Sequence, residues 1–132
     1  EASMTGKLPE GCSYLGSSLI LKDEIVLRHY FSGDISTEYK KCYNKAKDIY
    51  VASNAVKMSD DICYVDIAAP YSNIGDMYEL ILGKGDEAYK LTYGVLTYCN
   101  KAYELNPNSE LVSICNAMYN YSVAANAYFA AN

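Results

Sequence analysis

Apolar residues recur along most of the chain at intervals of three and four, the spacing that keeps one face of an α-helix dry; alternation at every second residue is almost absent. The clearest run is Tyr39, Cys42, Tyr43, Ala46, Ile49, Tyr50, Ser53 and Val56, with Lys40, Lys41, Asn44, Lys45, Lys47 and Asp48 on the opposite side. Asp34, Ser36 and Thr37 stand ready to cap its start behind Gly33. A first helix is predicted over about 15–31, with Leu15, Leu19, Val26 and Tyr30 inward and Lys22, Asp23 and Arg28 outward; His29 then falls at its surface or boundary. Ser59 caps a short helix that must end before Pro70, because the residue preceding proline disfavours helical geometry. A further helix runs from about 73 to 82 and stops at Gly83, and Gly83-Lys84-Gly85-Asp86 forms a turn. A helix over 86–105 follows, halted by Asn106-Pro107-Asn108, and Ser109 caps a last one reaching about 129. Six helices joined by short turns predict an all-α bundle, a single domain over residues 1–132.

The last helix changes this picture in one respect. After Glu110 no charged residue occurs, while Leu111, Ile114, Cys115, Met118, Ala125 and Phe129 make an apolar stripe broken by Asn116, Asn120 and Asn126. Those amides argue against burial in lipid, and no run of 18 apolar residues exists, so a membrane span is not expected. The helix reads instead as a central element, or as one with a weakly polar face free for a partner.

Five cysteines, at 12, 42, 63, 99 and 115, form no CxxC pair and fit no zinc spacing. Together with the sequon Asn120-Tyr121-Ser122, they suit a secreted, disulfide-linked protein better than a cytosolic one with buried thiols. The start at Glu1, with no initiator Met and no charged-then-apolar leader, reads as a processed mature form or an expressed piece. In an antiparallel helix pair, residues equidistant from the turn are level. Cys99 and Cys115 each lie eight residues from Pro107, and Cys12 and Cys63 fall at one end of the expected bundle. The first pairing to expect is Cys12 with Cys63, and Cys99 with either Cys115 or Cys42.

Composition narrows the chemistry. Eleven basic against sixteen acidic residues give a net charge of −5, which disfavours binding to a nucleic-acid backbone. The lone His29 has no local Cys signature beside it, and Asp23-Glu24, Asp60-Asp61 and Asp86-Glu87 are neighbours that point apart on a helix. There is no calcium-loop pattern, and Gly83-Lys84-Gly85 lacks the rest of a phosphate loop. No catalytic residue, metal or cofactor is therefore expected. The outstanding anomaly is 15 tyrosines against two phenylalanines and no tryptophan, a composition suited to recognition surfaces. Tyr89, Tyr93, Tyr98 and Tyr103 do not share one helical face, nor do Tyr119, Tyr121 and Tyr128, so Tyr89, Tyr93, Tyr103, Tyr119 and Tyr128 are the candidate binding surface. Charge is also uneven: residues 38–57 carry five lysines against Glu38 and Asp48, whereas residues 58–87 carry seven acids against Lys84, a region able to steer a basic partner.

In size, sparse cysteines, acidic balance and helical spacing, the chain resembles the small helical salivary proteins of blood-feeding insects, the anophensin-type family of anopheline mosquitoes. The resemblance carries no diagnostic motif and transfers no residue roles. It implies a secreted, non-enzymatic inhibitor that binds a host plasma protein and blocks contact activation or complement. The alternative is a carrier of small hydrophobic ligands like insect odorant-binding proteins, although the cysteine expected four positions after Cys42 is Ala46. Plant invertase-inhibitor bundles are a third comparison, but they open with a short Cys-to-Cys hairpin, and here Cys12 and Cys42 are 30 residues apart.

Overall fold

The computed structural model describes residues 3–131, with side chains through Tyr128. Its elements are β1 (Ser3–Thr5), β2 (Ser13–Leu21), β3 (Ile25–Ser32), β4 (Lys40–Asn44), β5 (Ile49–Val51) and β6 (Asn54–Lys57). There follow β7 (Ile62–Ala69), a 3-10 turn Tyr71–Asn73, β8 (Met77–Leu82), β9 (Tyr89–Gly94), α1 (Val95–Leu105) and α2 (Glu110–Ala131). The expected all-α bundle of six helices is therefore wrong: strands make up 43% and helices 26%.

Two antiparallel sheets carry the fold, one ordered β1-β9-β8-β4-β5 and the other β2-β3-β7-β6. Their inner faces alternate strictly. β3 buries Ile25, Leu27, His29 and Phe31, and β7 buries Cys63, Val65, Ile67 and Ala69. The other sheet meets them with Tyr78, Leu80 and Leu82 from β8 and Tyr89, Leu91 and Tyr93 from β9. Removing these two apolar faces from water is the main driving force for the sandwich.

Each misread helix has a local cause. The run at 39–56 is a hairpin because Asn44 Oδ1 accepts the N–H groups of Ala46 and Lys47 at 3.0 and 3.1 Å, and Asp48 adopts φ +57°. The chain reverses there, and Tyr43 lands opposite Tyr50 with ring centroids 5.3 Å apart. Residues 15–31 fold as the β2–β3 hairpin about Lys22-Asp23-Glu24. Residues 59–69 supply β7, and 73–82 supply β8.

The helix expected over 86–105 is divided at Gly94, which ends β9 and starts α1, its N–H donating to Thr97 Oγ1 at 3.0 Å. A Cβ at Gly94 would lie 2.6 Å from the Asp76 carbonyl oxygen, so the sharp turn from strand to helix needs glycine. Asn106-Pro107-Asn108 does end α1, and Ser109 Oγ accepts the Val112 N–H at 3.2 Å at the start of α2. No helix of the described residues is long and apolar enough to cross a membrane.

Two residues move from the expected surface to the interior. His29 is 1% exposed, on an inner face and not at a helix boundary. Tyr89, expected on the binding surface, is 4% exposed and sits edge-on against Phe31 at 6.1 Å. The buried hydroxyls of Tyr78 and Tyr89 have no hydrogen-bond partner among the described residues. An orphaned buried hydroxyl forfeits its hydration without compensation. Tyr89→Phe should therefore stabilise the fold by about 1 kcal/mol, read as a higher urea midpoint at unchanged slope; a lower midpoint would show that the hydroxyl is satisfied.

Candidate functional site

A cleft of about 970 Å³ wraps around the edge of β2 that pairs with no strand among the described residues, and is walled on its other side by α1. It exists because the β2–β3 register breaks between Tyr14 and Gly16, where Gly16 takes φ +127°. The bulge leaves Tyr14 and Ser17 on the inner side of the strand and turns Leu15 out to solvent.

The floor is a polar network held by β3 and β9. Ser17 Oγ lies 2.5 Å from both Tyr14 Oη and His29 Nδ1, and Tyr93 lines the same floor. The His29 ring stands edge-on to Tyr93 at 5.1 Å, and Tyr14 packs on Phe31 at 5.6 Å. Burial pushes the His29 pKa down to about 4, against a smaller upward pull from Asp66, so the ring is neutral at pH 7. Burial raises the Tyr14 and Tyr93 hydroxyls as well, which keeps both protonated.

A serine touching a histidine invites comparison with a nucleophile and its base. Two features argue for a scaffold role instead. Asp66, whose charge reaches His29, gives both carboxylate oxygens to Arg28 at 2.8 and 2.9 Å, so it is not free to orient the ring. The Tyr14 hydroxyl also shares Ser17 Oγ and holds it in the floor.

The walls are aromatic and aliphatic. Tyr30 enters from β3, Tyr98 and Tyr103 from α1, and Leu15, Leu105 and Leu111 form an apolar rim, with Lys101 and Glu104 beside it. Among the tyrosines expected at a binding surface, Tyr93 is 5% exposed in the floor and Tyr103 is 58% exposed at the rim. Tyr119 and Tyr128 lie on α2, both exposed, away from the cleft lining, and Asn120 is exposed on the same helix. Tyr14, Ser17, His29 and Tyr98 were not anticipated as site residues. The one hint was Gly16 inside an apolar run, a common sign of a bulge.

All five cysteines are free thiols; Cys42, Cys63, Cys99 and Cys115 are buried and Cys12 half-buried. Among the described residues no group of three or more His, Cys, Asp or Glu side chains is placed to hold a metal ion. A second groove, of about 400 Å³, lies on the outer face of the other sheet. There Lys41 and Lys90 flank Ile81 on neighbouring strands and Lys84 sits 4.9 Å over the Tyr39 ring. Comparison with protein-family models, curated proteins and solved structures finds no match to this chain.

The buried neutral histidine makes stability depend on pH. Between the unfolded value of 6.5 and the folded value of about 4, the unfolded chain binds a proton that the folded chain refuses. Stability should therefore fall as pH is lowered through this window, by about 3 kcal/mol in all. Asp34, held down to about 2 chiefly by hydrogen bonds from Ser36, contributes only below pH 3.8 and does not overlap. Urea unfolding at pH 7 and pH 4.5 checks this, and His29→Gln should flatten the difference.

Proposed function

We propose that the chain is a non-catalytic binding module that takes an extended segment of a partner protein into the tyrosine-lined cleft. The observation that carries this reading is the juxtaposition of five tyrosines, Tyr14, Tyr30, Tyr93, Tyr98 and Tyr103, with an edge of β2 that no strand of the described residues covers. Tyrosine offers broad contact area with few rotatable bonds and a hydroxyl for polar groups, so it gives affinity at low entropic cost. An extended peptide matches an edge strand, since its own backbone groups meet those left unpaired by the sheet. The floor hydroxyls then receive one polar anchor, while the aliphatic rim excludes water around it. A net charge of −5 favours a basic segment through its rate of association. An extracellular setting belongs with this reading, as does a plasma protein of the contact or complement cascades as the partner.

Peptides selected from a displayed random library on the immobilised chain test the proposal. Tyr98→Ala and Tyr103→Ala should each weaken a selected peptide by about tenfold or more, whereas Tyr50→Ala, on the far sheet, should leave affinity unchanged. Failure to select any peptide, or equal binding by all three variants, would overturn it. Contact-phase and complement proteins presented in the same format test the expected partner class.

A second reading rests on the cleft volume, which lies within the range of small-molecule sites. If the cleft carries small apolar ligands, a fluorescent fatty-acid probe binds with one-to-one stoichiometry and selected peptides do not displace it.

A further inference from the structure

The two helices meet along a seam that mirrors itself about Pro107. Ala102 and Val112 stand five residues from it on either side, and Cys99 and Cys115 stand eight; all four are buried, as are Val95 and Met118 further along. This equal spacing is the signature of an antiparallel pair whose facing residues sit level. It places the two buried thiols level across the seam, and burial, with Cys115 beside it, pushes the Cys99 thiol well above its usual range. Ala102 is a small buried residue of the seam, and small side chains let helix backbones approach, as a disulfide requires. Two of the remaining three cysteines are held elsewhere. The Cys63 thiol donates to Asp34 Oδ1 at 3.7 Å, and Cys42 is fully buried on β4 between the sheets.

We propose that Cys99 and Cys115 are a redox-active dithiol that closes into an intramolecular disulfide, stapling α2 to α1 and fixing the helical wall of the cleft. The oxidant is a small-molecule disulfide. One protein thiolate attacks it, forming a mixed disulfide and releasing one small thiol. The second protein thiol then displaces the other small thiol, so two protein thiols are oxidised, one small disulfide is reduced, and the protein protons pass to the two released thiols. Because both residues are almost fully covered, attack waits for α2 to lift from α1, and the raised pKa of the Cys99 thiol slows it further at neutral pH. Closure of the cross-link stands on the seam alone; its effect on the cleft wall rests on reading the cleft as the binding site.

The test uses the full chain, reduced and then incubated with oxidised glutathione without denaturant. Intact mass should show the loss of two hydrogens and no retained glutathione. Trypsin cuts after Lys90 and Lys101, so Cys99 and Cys115 fall on different peptides, and non-reducing digestion should recover these two joined. Cys12→Ser, which removes the pairing of Cys12 with Cys63, should leave the joined peptides unchanged, while Cys115→Ser should abolish them. Amide exchange over residues 110–131 should slow by about tenfold or more on oxidation. Linkage of Cys12 to Cys63 in place of Cys99 to Cys115, a stable glutathione adduct on Cys99, or no change in mass would overturn the cross-link. Joined peptides with unaltered exchange in both helices would overturn the fixing of the wall, and neither result depends on whether the cleft binds a peptide.

Discussion

The register of β3 against its neighbours is the constraint on which the molecule depends. Side chains on a strand change face with every residue, so a slip of one place would send Arg28 into the core and His29 into solvent. Two contacts on opposite faces hold it. Outside, Arg28 grips Asp66 of β7 through two hydrogen bonds and lies 3.9 Å over the Tyr64 ring, a fork that fits one alignment. Inside, His29 engages Ser17 of β2 and the Tyr93 ring of the facing sheet. The polar floor of the cleft is thus the inner half of the same alignment that seats the core.

The cleft follows from that alignment without a dedicated loop. A bulge in an edge strand, a glycine where a strand turns into a helix, and a helix laid against the exposed edge are enough. The hydroxyls in the floor are fixed by one another, so a ligand meets donors and acceptors already in position and loses little in ordering them.

Much of the α-helical region was legible, and the sandwich was not. Asn106-Pro107 and Ser109 marked the helical hairpin because stops and caps are local chemistry, visible in four residues. The strands were hidden by their outer faces. Val26 and Tyr30 on β3, Ile62 and Tyr64 on β7, and Met77 and Ile81 on β8 all point away from the core, yet are as apolar as their inward neighbours. With both faces apolar, period-two contrast vanishes and three-four spacings arise by default. Tyrosine deepened the ambiguity, serving equally as core (Tyr78, Tyr89) and as surface (Tyr50, Tyr121). The tyrosine surplus did signal recognition chemistry, but assigning faces on a helical wheel placed Tyr89 outside. Ser17 and His29 are twelve residues apart and share a face only through hairpin pairing, which no local pattern discloses.

The order of strands in the five-stranded sheet has a consequence for how the chain reaches this state. Among the described residues β1 pairs with β9 alone, with Ser3 opposite Thr92. During synthesis β1 therefore leaves the ribosome well before β9 and can pair with it only after β2 to β8 have emerged. Such late closure of distant sequence is entropically expensive and slow. The β2–β3 hairpin and the β3–β7 ladder, by contrast, assemble early, so a vectorially growing chain builds the half that carries Ser17 and His29 before Tyr93 arrives to complete it.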